Sequence, residues 1–364
     1  MKKYLFLAVA ATAMMASCSN DEVVEMASQQ GKAIAFENAF VNNSTRAALV
    51  AGYNSTTLPA DIDVYGSLNN GTSTTWIFDD VKLEKSSNWT YSPLQYWVKG
   101  NNYKFYALAP ANKVTNLEKN DNLFKSFRFQ NDGATDLLYA YVDRSGNNYA
   151  ESAVAFTLNH LLSKVKFTMI NGFASDQATI KVTNIAINKI TQAAIYTVSE
   201  AKGQWSSSDA TGFSVNFGNI VEAGTEAGAE ALAVKVGESK ESNYERFLIP
   251  EINTGFNVTF TAELLNNGVT VGTYNLETNL TNIVLEQGKS YNFIATLTEK
   301  NITGGDPNDP NAGLKPITFT VAVSDWVAGN GWDVTANEGA GAGTDDGTYN
   351  GGKIVTGSNT TPGN

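Results

Sequence analysis

Residues 154–169 read Val-Ala-Phe-Thr-Leu-Asn-His-Leu-Leu-Ser-Lys-Val-Lys-Phe-Thr-Met. Val154, Phe156 and Leu158 alternate with small or polar neighbours, and so do Val165, Phe167 and Met169. A period of two marks a strand with one face in a core. Between the two runs the apolar phase slips from even to odd positions, so a bulge or tight bend is expected at 160–163. His160 continues the inward phase of the first run. It is expected to be structural, hydrogen-bonded within that bend.

The same alternation extends in both directions. Upstream are Ile34/Phe36/Phe40, Ile62/Val64/Leu68, Trp76/Phe78, Val81/Leu83, Tyr103/Phe105/Ala107, Phe127/Phe129 and Leu138/Ala140/Val142. Downstream are Ile185/Ile187, Ala194/Tyr196/Val198, Phe213/Val215/Phe217, Leu232/Val234/Val236, Phe247/Ile249 and the run from Phe256 to Leu264. Tyr291/Phe293/Ala295/Leu297 and Ile317/Phe319/Val321/Val323 close the series. Turn residues punctuate it, and Asn266-Asn267-Gly268 before Val269 reads as a hairpin. Many short, regularly spaced strands predict an all-β protein built of β-sandwiches, about seven strands to each. The expected division is two tandem domains, 47–150 and 151–334, with a soft break near 150. The second includes a Gly/Pro/Asn/Asp linker at 301–316, where Pro307, Pro310 and Pro316 exclude a central strand. A flexible Gly/Asn/Thr-rich tail is expected over 335–364.

Composition agrees. The chain has 364 residues, of which 42% are hydrophobic and only 17% charged, with 31 Gly, 15 Tyr and 18 Phe. This mix suits strands joined by turns. Asp and Glu number 36 against 25 Lys and Arg, a net charge of −11. Such a chain is a poor binder of phosphate backbones, which excludes nucleic acid as a partner. One Cys and one His leave no intrachain disulfide, no zinc-finger set and little room for His-dependent catalysis.

The N-terminus reads as an export signal over 1–17. Lys2 and Lys3 precede an apolar run from Tyr4 to Met15, too short to span a bilayer. Ala16 and Ser17 then lead into Cys18, the chain's only cysteine. Met15-Ala16-Ser17-Cys18 resembles a bacterial lipobox, with Met15 where Leu is commoner, and implies lipid on Cys18. The chain from Cys18 onward is then expected to be lipid-anchored.

The chemistry inventory is otherwise sparse. No GxSxG motif accompanies His160. The Gly-rich stretch 339–343 follows no strand and opens no helix, so it is not a phosphate loop. No catalytic, cofactor-binding or metal-binding residue is assigned, and the chain is read as a non-enzyme. Trp76, Trp89, Trp97, Tyr91 and Tyr96 cluster within 22 residues. They are core if buried, and a sugar- or partner-binding surface if exposed. Arg46 is one of four arginines and lies in the polar stretch Asn42 to Ala47, the kind of loop proteases reach.

Several motifs in order carry a resemblance. The lipobox, Ile34-x-Phe36 and Thr45-Arg46-Ala47 resemble the start of the fimbrillin family, the type V pilins of Bacteroides-type bacteria. Residues 154–165 resemble the family's F-x-L-x-H-x-L-S-K-V segment, and Gly288-Lys289-Ser290-Tyr291 its GKxY turn. Ile317 to Trp326 resembles its closing strand. The resemblance implies two transthyretin-like sandwiches and export as a lipoprotein held on the outer membrane through Cys18. It also implies cleavage by a trypsin-like protease between Arg46 and Ala47, and strand exchange with other fimbrial subunits, in a homopolymer, at the cell surface.

The physics fits that implication. If the segment bearing Ile34, Phe36 and Phe40 is the first strand, cleavage would release it and open an apolar groove with an unpaired edge. Each such side chain contributes about 1.5–3 kcal/mol when fully buried, and the sum approaches a small domain's stability. A neighbour's strand could refill the groove, and head-to-tail exchange gives fibres. The first candidate donor is Ile317/Phe319/Val321/Val323; if that run is the second domain's own last strand, the candidates are Trp332-Asp333-Val334 or Tyr349 with Ile354 and Val355. The alternative function is a tip adhesin or surface lipoprotein that recognises a host glycan or protein.

Overall fold

The alternating runs at 154–160 and 163–171 are both strands, and they belong to different sheets. A computed structural model of the chain describes residues 31–41, 58–85, 88–120, 123–199, 202–210, 212–221, 229–250, 252–253, 256–280, 283–303, 317–325 and 352–356.

The first nine strands are β1 (Phe36–Val41), β2 (Asp61–Asn69), β3 (Thr74–Lys85), β4 (Trp89–Thr90), β5 (Asn102–Ala109), β6 (Val114–Lys119), β7 (Phe124–Gln130), β8 (Leu138–Arg144) and β9 (Val154–His160). Next come β10 (Ser163–Asn171), β11 (Ala178–Ile190), β12 (Ala193–Ser199), β13 (Lys202–Ala210), β14 (Phe213–Gly218), β15 (Ile220–Val221), β16 (Val234–Lys235), β17 (Ser239–Ser242) and β18 (Arg246–Leu248). The series ends with β19 (Ile252–Asn253), β20 (Phe256–Asn266), β21 (Val269–Leu280), β22 (Ile283–Val284), β23 (Lys289–Leu297), β24 (Thr318–Asp325) and β25 (Gly352–Thr356).

A seven-stranded sheet runs β1-β9-β8-β5-β2-β3-β4. It is buried on both faces, which is why Ile62 to Ser67 of β2 form one continuous buried run. One face gathers Ile62, Val64, Phe78, Phe105 and Phe156 into a core that also holds Ile34, Phe36 and Trp97. The other face carries Tyr65, Tyr106 and Tyr139 against Phe127, Phe129 and Tyr196 of a second sheet, β13-β12-β7-β6. The runs Trp76/Phe78 and Val81/Leu83 are one strand. Asp80 takes a positive φ of 61° and the register against β2 shifts between Phe78 and Val81, so Phe78, Val81 and Leu83 reach one core, while Trp76 packs against the other.

The second sandwich packs β15-β17-β10-β23-β24-β25, with β18 beside β10, on β14-β11-β20-β21, with β16 beside β11. Its core joins Val165, Phe167 and Met169 to Phe293, Phe319, Ile187 and Phe260. β20 and β21 meet at the expected hairpin, where Asn267 (φ 49°) and Gly268 (φ 78°) both adopt positive φ.

The phase slip at 160–163 marks the passage between sandwiches. β9 ends in the first sheet, Leu161 and Leu162 are buried in the core under that sheet's other face, and β10 opens the second sandwich. Residue 150 falls between β8 and β9, which pair within one sheet. The hairpin β12–β13 then returns to the first sandwich, with Ala194 opposite Phe129 and Tyr196 opposite Phe127 on β7. Regular spacing along the chain signals strands; which sheet each joins is decided by packing between distant residues.

Candidate functional site: the seat of the first strand

Residues 31–36 lie in a slot with hydrogen bonds on both sides. On one side β1 pairs in parallel with β9, Phe36 opposite Val154, and the Val154 N–H donates to the Ala35 carbonyl at 2.7 Å. On the other side residues 95–97, just past β4, form an antiparallel bridge, Ala33 to Tyr96. There the Ile34 N–H donates to the Gln95 carbonyl at 2.8 Å, and the Trp97 N–H to the Lys32 carbonyl at 2.9 Å. β1 and β4 are opposite edges of one sheet, so this segment closes the curled sheet on itself.

The side chains bind as tightly as the backbone. Ile34 is 1% exposed and Phe36 5%. The Phe36 ring meets Phe78 at 5.4 Å, Tyr91 at 5.6 Å, Phe156 at 5.6 Å and Phe105 at 6.1 Å. The Tyr91 hydroxyl donates to the Ile34 carbonyl at 2.6 Å. Burial pushes that hydroxyl's pKa up, so it remains a donor at neutral pH. Full burial of Ile34 and Phe36 contributes about 1.5–3 kcal/mol each. The described hydrophobic contacts thus come from two residues. Phe40 is opposite Thr157 after a register shift, and its side chain is outside the described set. The aromatic cluster divides accordingly. Trp97 is core at 2% exposure, Trp76 and Trp89 are half-buried, and Tyr96 is 38% exposed beside Leu94 at 56% and Val98 at 51%.

Of the other residues singled out in the sequence, Cys18, Arg46, Ala47, Trp332, Asp333, Val334 and Tyr349 lie outside the described residues. Ile317, Phe319 and Val321 are buried in the second core, and Val323 packs against it. β24, which carries the last three, is paired with β23, Val321 opposite Phe293. β25 pairs antiparallel with the free edge of β24, placing Ile354 opposite Thr320 and Val355 opposite Phe319. The rim at 95–97 was not legible as part of the site: it has no strand alternation, and its role depends on a residue more than sixty positions away.

The polar residues around 160–166 and 285–291 meet at the junction of the sandwiches. His160 Nδ1 lies 2.9 Å from an Asp136 carboxylate oxygen, both side chains buried, so the histidine's partner lies 24 residues upstream and not within the 160–163 bend, where the sequence places it. Lys164 is wholly buried 3.7 Å from Glu245. Burial pushes its ammonium pKa down, and the Glu245 carboxylate pulls it partly back. The Gly288 N–H donates to the Leu162 carbonyl at 3.0 Å, and the Ser163 hydroxyl to the Glu286 carbonyl at 2.8 Å. Tyr291, its pKa pushed up to about 12 by burial, accepts the Glu286 N–H at 2.7 Å. Residues 160–166 and 285–291 thus lock one joint. Among the described residues no group of three or more His, Cys, Asp or Glu side chains could hold a metal ion.

Fold and site together define an all-β protein of two packed sandwiches whose first sheet is closed by an edge segment near the N-terminus. The sequence profile of the fimbrillin-like family matches residues 45–353, and the chain belongs to that family of fimbrial structural proteins of the cell surface. A fimbrial protein from Bacteroides vulgatus shares the fold, with a TM-score of 0.58 at 15% identity, over 81% of this chain and 99% of that one. The fimbrial anchor protein Mfa2 from Porphyromonas gingivalis aligns with 81% of this chain and 97% of its own, at 12% identity and a TM-score of 0.30. No curated protein matches the sequence.

Proposed function

We propose that this chain is a structural subunit of a surface fimbria that polymerises by exchanging its first strand. The precursor is exported on the signal at 1–17, lipidated on Cys18 and anchored in the outer membrane through residues 18–46. A trypsin-like protease then cuts between Arg46 and Ala47. Residues 31–41 leave with the anchor, and a strand from another subunit takes their place. The observation that carries this reading is the seat itself, where Ile34 and Phe36 fill a core between two backbone edges. Emptying it exposes that core and frees the edge groups of β9, a state that favours strand addition. The site offers bonding edges and apolar sockets, which suit a polypeptide strand.

Arg46→Ala tests the reading. The variant is expected to accumulate as lipid-bound monomer at the outer membrane while the wild type forms fibres. Normal fibres from the variant would remove the cleavage step.

A further inference from the structure

The face of the first sheet that carries Tyr65 and Tyr106 changes character towards one end. Phe124 covers both rings, with centroids 5.0 and 5.3 Å away, and the cover stops at Leu123, which is 38% exposed. Beyond it the same face continues as Ser67 and Asn69 on β2, and as Lys104 and Asn102 on β5. Ser67 is in register with Lys104, and Asn69 with Asn102, so the four polar side chains form a square across two strands. Together with Leu123 and Ser145 they line a cleft of about 350 Å³.

The square is held in place by its own bonds. The Asn69 amide donates to the Thr74 hydroxyl at 2.7 Å and accepts the Gly71 N–H at 2.7 Å. The Asn102 side-chain carbonyl accepts the Gly146 N–H at 2.9 Å, and its NH2 group remains a donor. The Ser145 hydroxyl donates to the Tyr103 carbonyl at 3.4 Å, and its oxygen remains an acceptor. Groups fixed in this way lose little freedom when a ligand arrives.

Three features define the occupant. β2 lies between β3 and β5, and β5 between β2 and β8, so the floor has no open backbone edge for a peptide strand to pair with. Leu123 is the one apolar residue among those that line the cleft, so a large hydrophobic group finds no socket. Lys104 stands opposite Asp143 on β8 in a chain of net charge −11, so the cleft does not select an anion. What is left is a set of hydroxyl, amide and ammonium groups that donate and accept, around a volume suited to a small molecule. The hydroxyls of a sugar ring do both.

We infer that this cleft binds one uncharged sugar ring, with its hydroxyls bonded to Ser67, Asn102, Lys104 and Ser145 and its apolar face on Leu123. The inference stands apart from strand exchange. If the chain does build a fibre, the cleft recurs in every subunit, and weak binding at each copy sums to avidity.

The test is saturation-transfer NMR and calorimetric titration of the full chain. The probes are the methyl glycosides of glucose, galactose, mannose, fucose and N-acetylglucosamine, with glucuronic acid and N-acetylneuraminic acid as charged comparisons. At least one neutral sugar is expected to bind with a Kd of roughly 1–10 mM, the range for a ligand of about a dozen heavy atoms. Lys104→Met and Ser67→Ala are each expected to weaken that binding about fivefold, the effect of one lost hydrogen bond, with little change in melting temperature. Should Ser67→Ala lower the melting temperature, Asn102→Ala takes its place, because Asn102 is exposed. Lys181→Met, in the second sandwich, is expected to bind like wild type. No neutral sugar bound at about 100 mM, far above the expected Kd, would overturn the inference, and so would binding that the cleft variants leave unchanged. Tighter binding of the two acids than of every neutral sugar would also overturn it and mark an anion site instead.

Discussion

The Phe36 ring lies flat against Phe156, centroids 5.6 Å apart and planes 11° from parallel. The two residues sit on neighbouring parallel strands, β1 and β9. A parallel pair has no turn to join it, so what holds β1 against β9 is side-chain burial plus the second row of bonds to residues 95–97.

Phe36→Ala in the uncut precursor is expected to cost about 3–5 kcal/mol, the usual range for deleting a fully packed Phe. Chemical denaturation should show a lower midpoint for the first sandwich. An unchanged midpoint would mean that the ring is not part of the seat.

Tyr91→Phe removes the hydroxyl that binds the Ile34 carbonyl and keeps the ring against Phe36. A single hydrogen bond contributes about 0.5–1.5 kcal/mol. After cleavage at Arg46, the released segment is expected to dissociate roughly fivefold faster, since about 1 kcal/mol is worth that factor. Size-exclusion chromatography of cut protein over time measures it, and equal rates would assign Tyr91 no part in retention.

Glu245→Ala is expected to be more damaging than Lys164→Met. The first leaves a buried ammonium without its carboxylate partner, at a cost of about 3–5 kcal/mol, whereas replacing the buried cation by a similar-sized apolar side chain costs less. Thermal unfolding of both variants gives the comparison, and the reverse order would contradict the account of the joint.

Asp63 supplies a pH-dependent prediction. Burial raises its carboxyl pKa above 3.8, and the Asn112 N–H, 2.6 Å from one oxygen, offsets part of the rise. The folded state therefore binds the proton more tightly than the unfolded chain. At neutral pH the ionised group weakens the fold, and that penalty disappears as pH falls through the folded pKa towards 3.8. Asp63→Asn keeps an acceptor for Asn112 and removes the charge. It is expected to raise the melting temperature at pH 7 and to change it little near pH 3.5. An equal gain at both values would assign the effect to packing.

Much of this architecture is readable from residue order. Alternation locates β2, β5, β8, β9, β10, β20 and β23, and Asn267-Gly268 places a hairpin, because both signals are local. The phase change at 160–163 is also visible, although its meaning, passage from one sandwich to the other, depends on what Leu161 and Leu162 bury against. Residues 202–210 hold mostly polar side chains around Trp205, so β13 gives no periodic signal; the tight pairing with β12 makes it a strand. The first strand shows as Ile34/Phe36, but its parallel partner 118 residues away (Phe36 to Val154) and its second edge at 95–97 leave no mark on the sequence around it. Gly31 is mute by itself, and only the Trp97 carbonyl against it shows why a side chain is barred there.

The most direct measurement is the intact mass and N-terminal residue of subunits taken from assembled fibres. The account predicts a chain beginning at Ala47, without lipid and without residues 31–41. A fibre subunit that still carries Ile34 and Phe36 would contradict it.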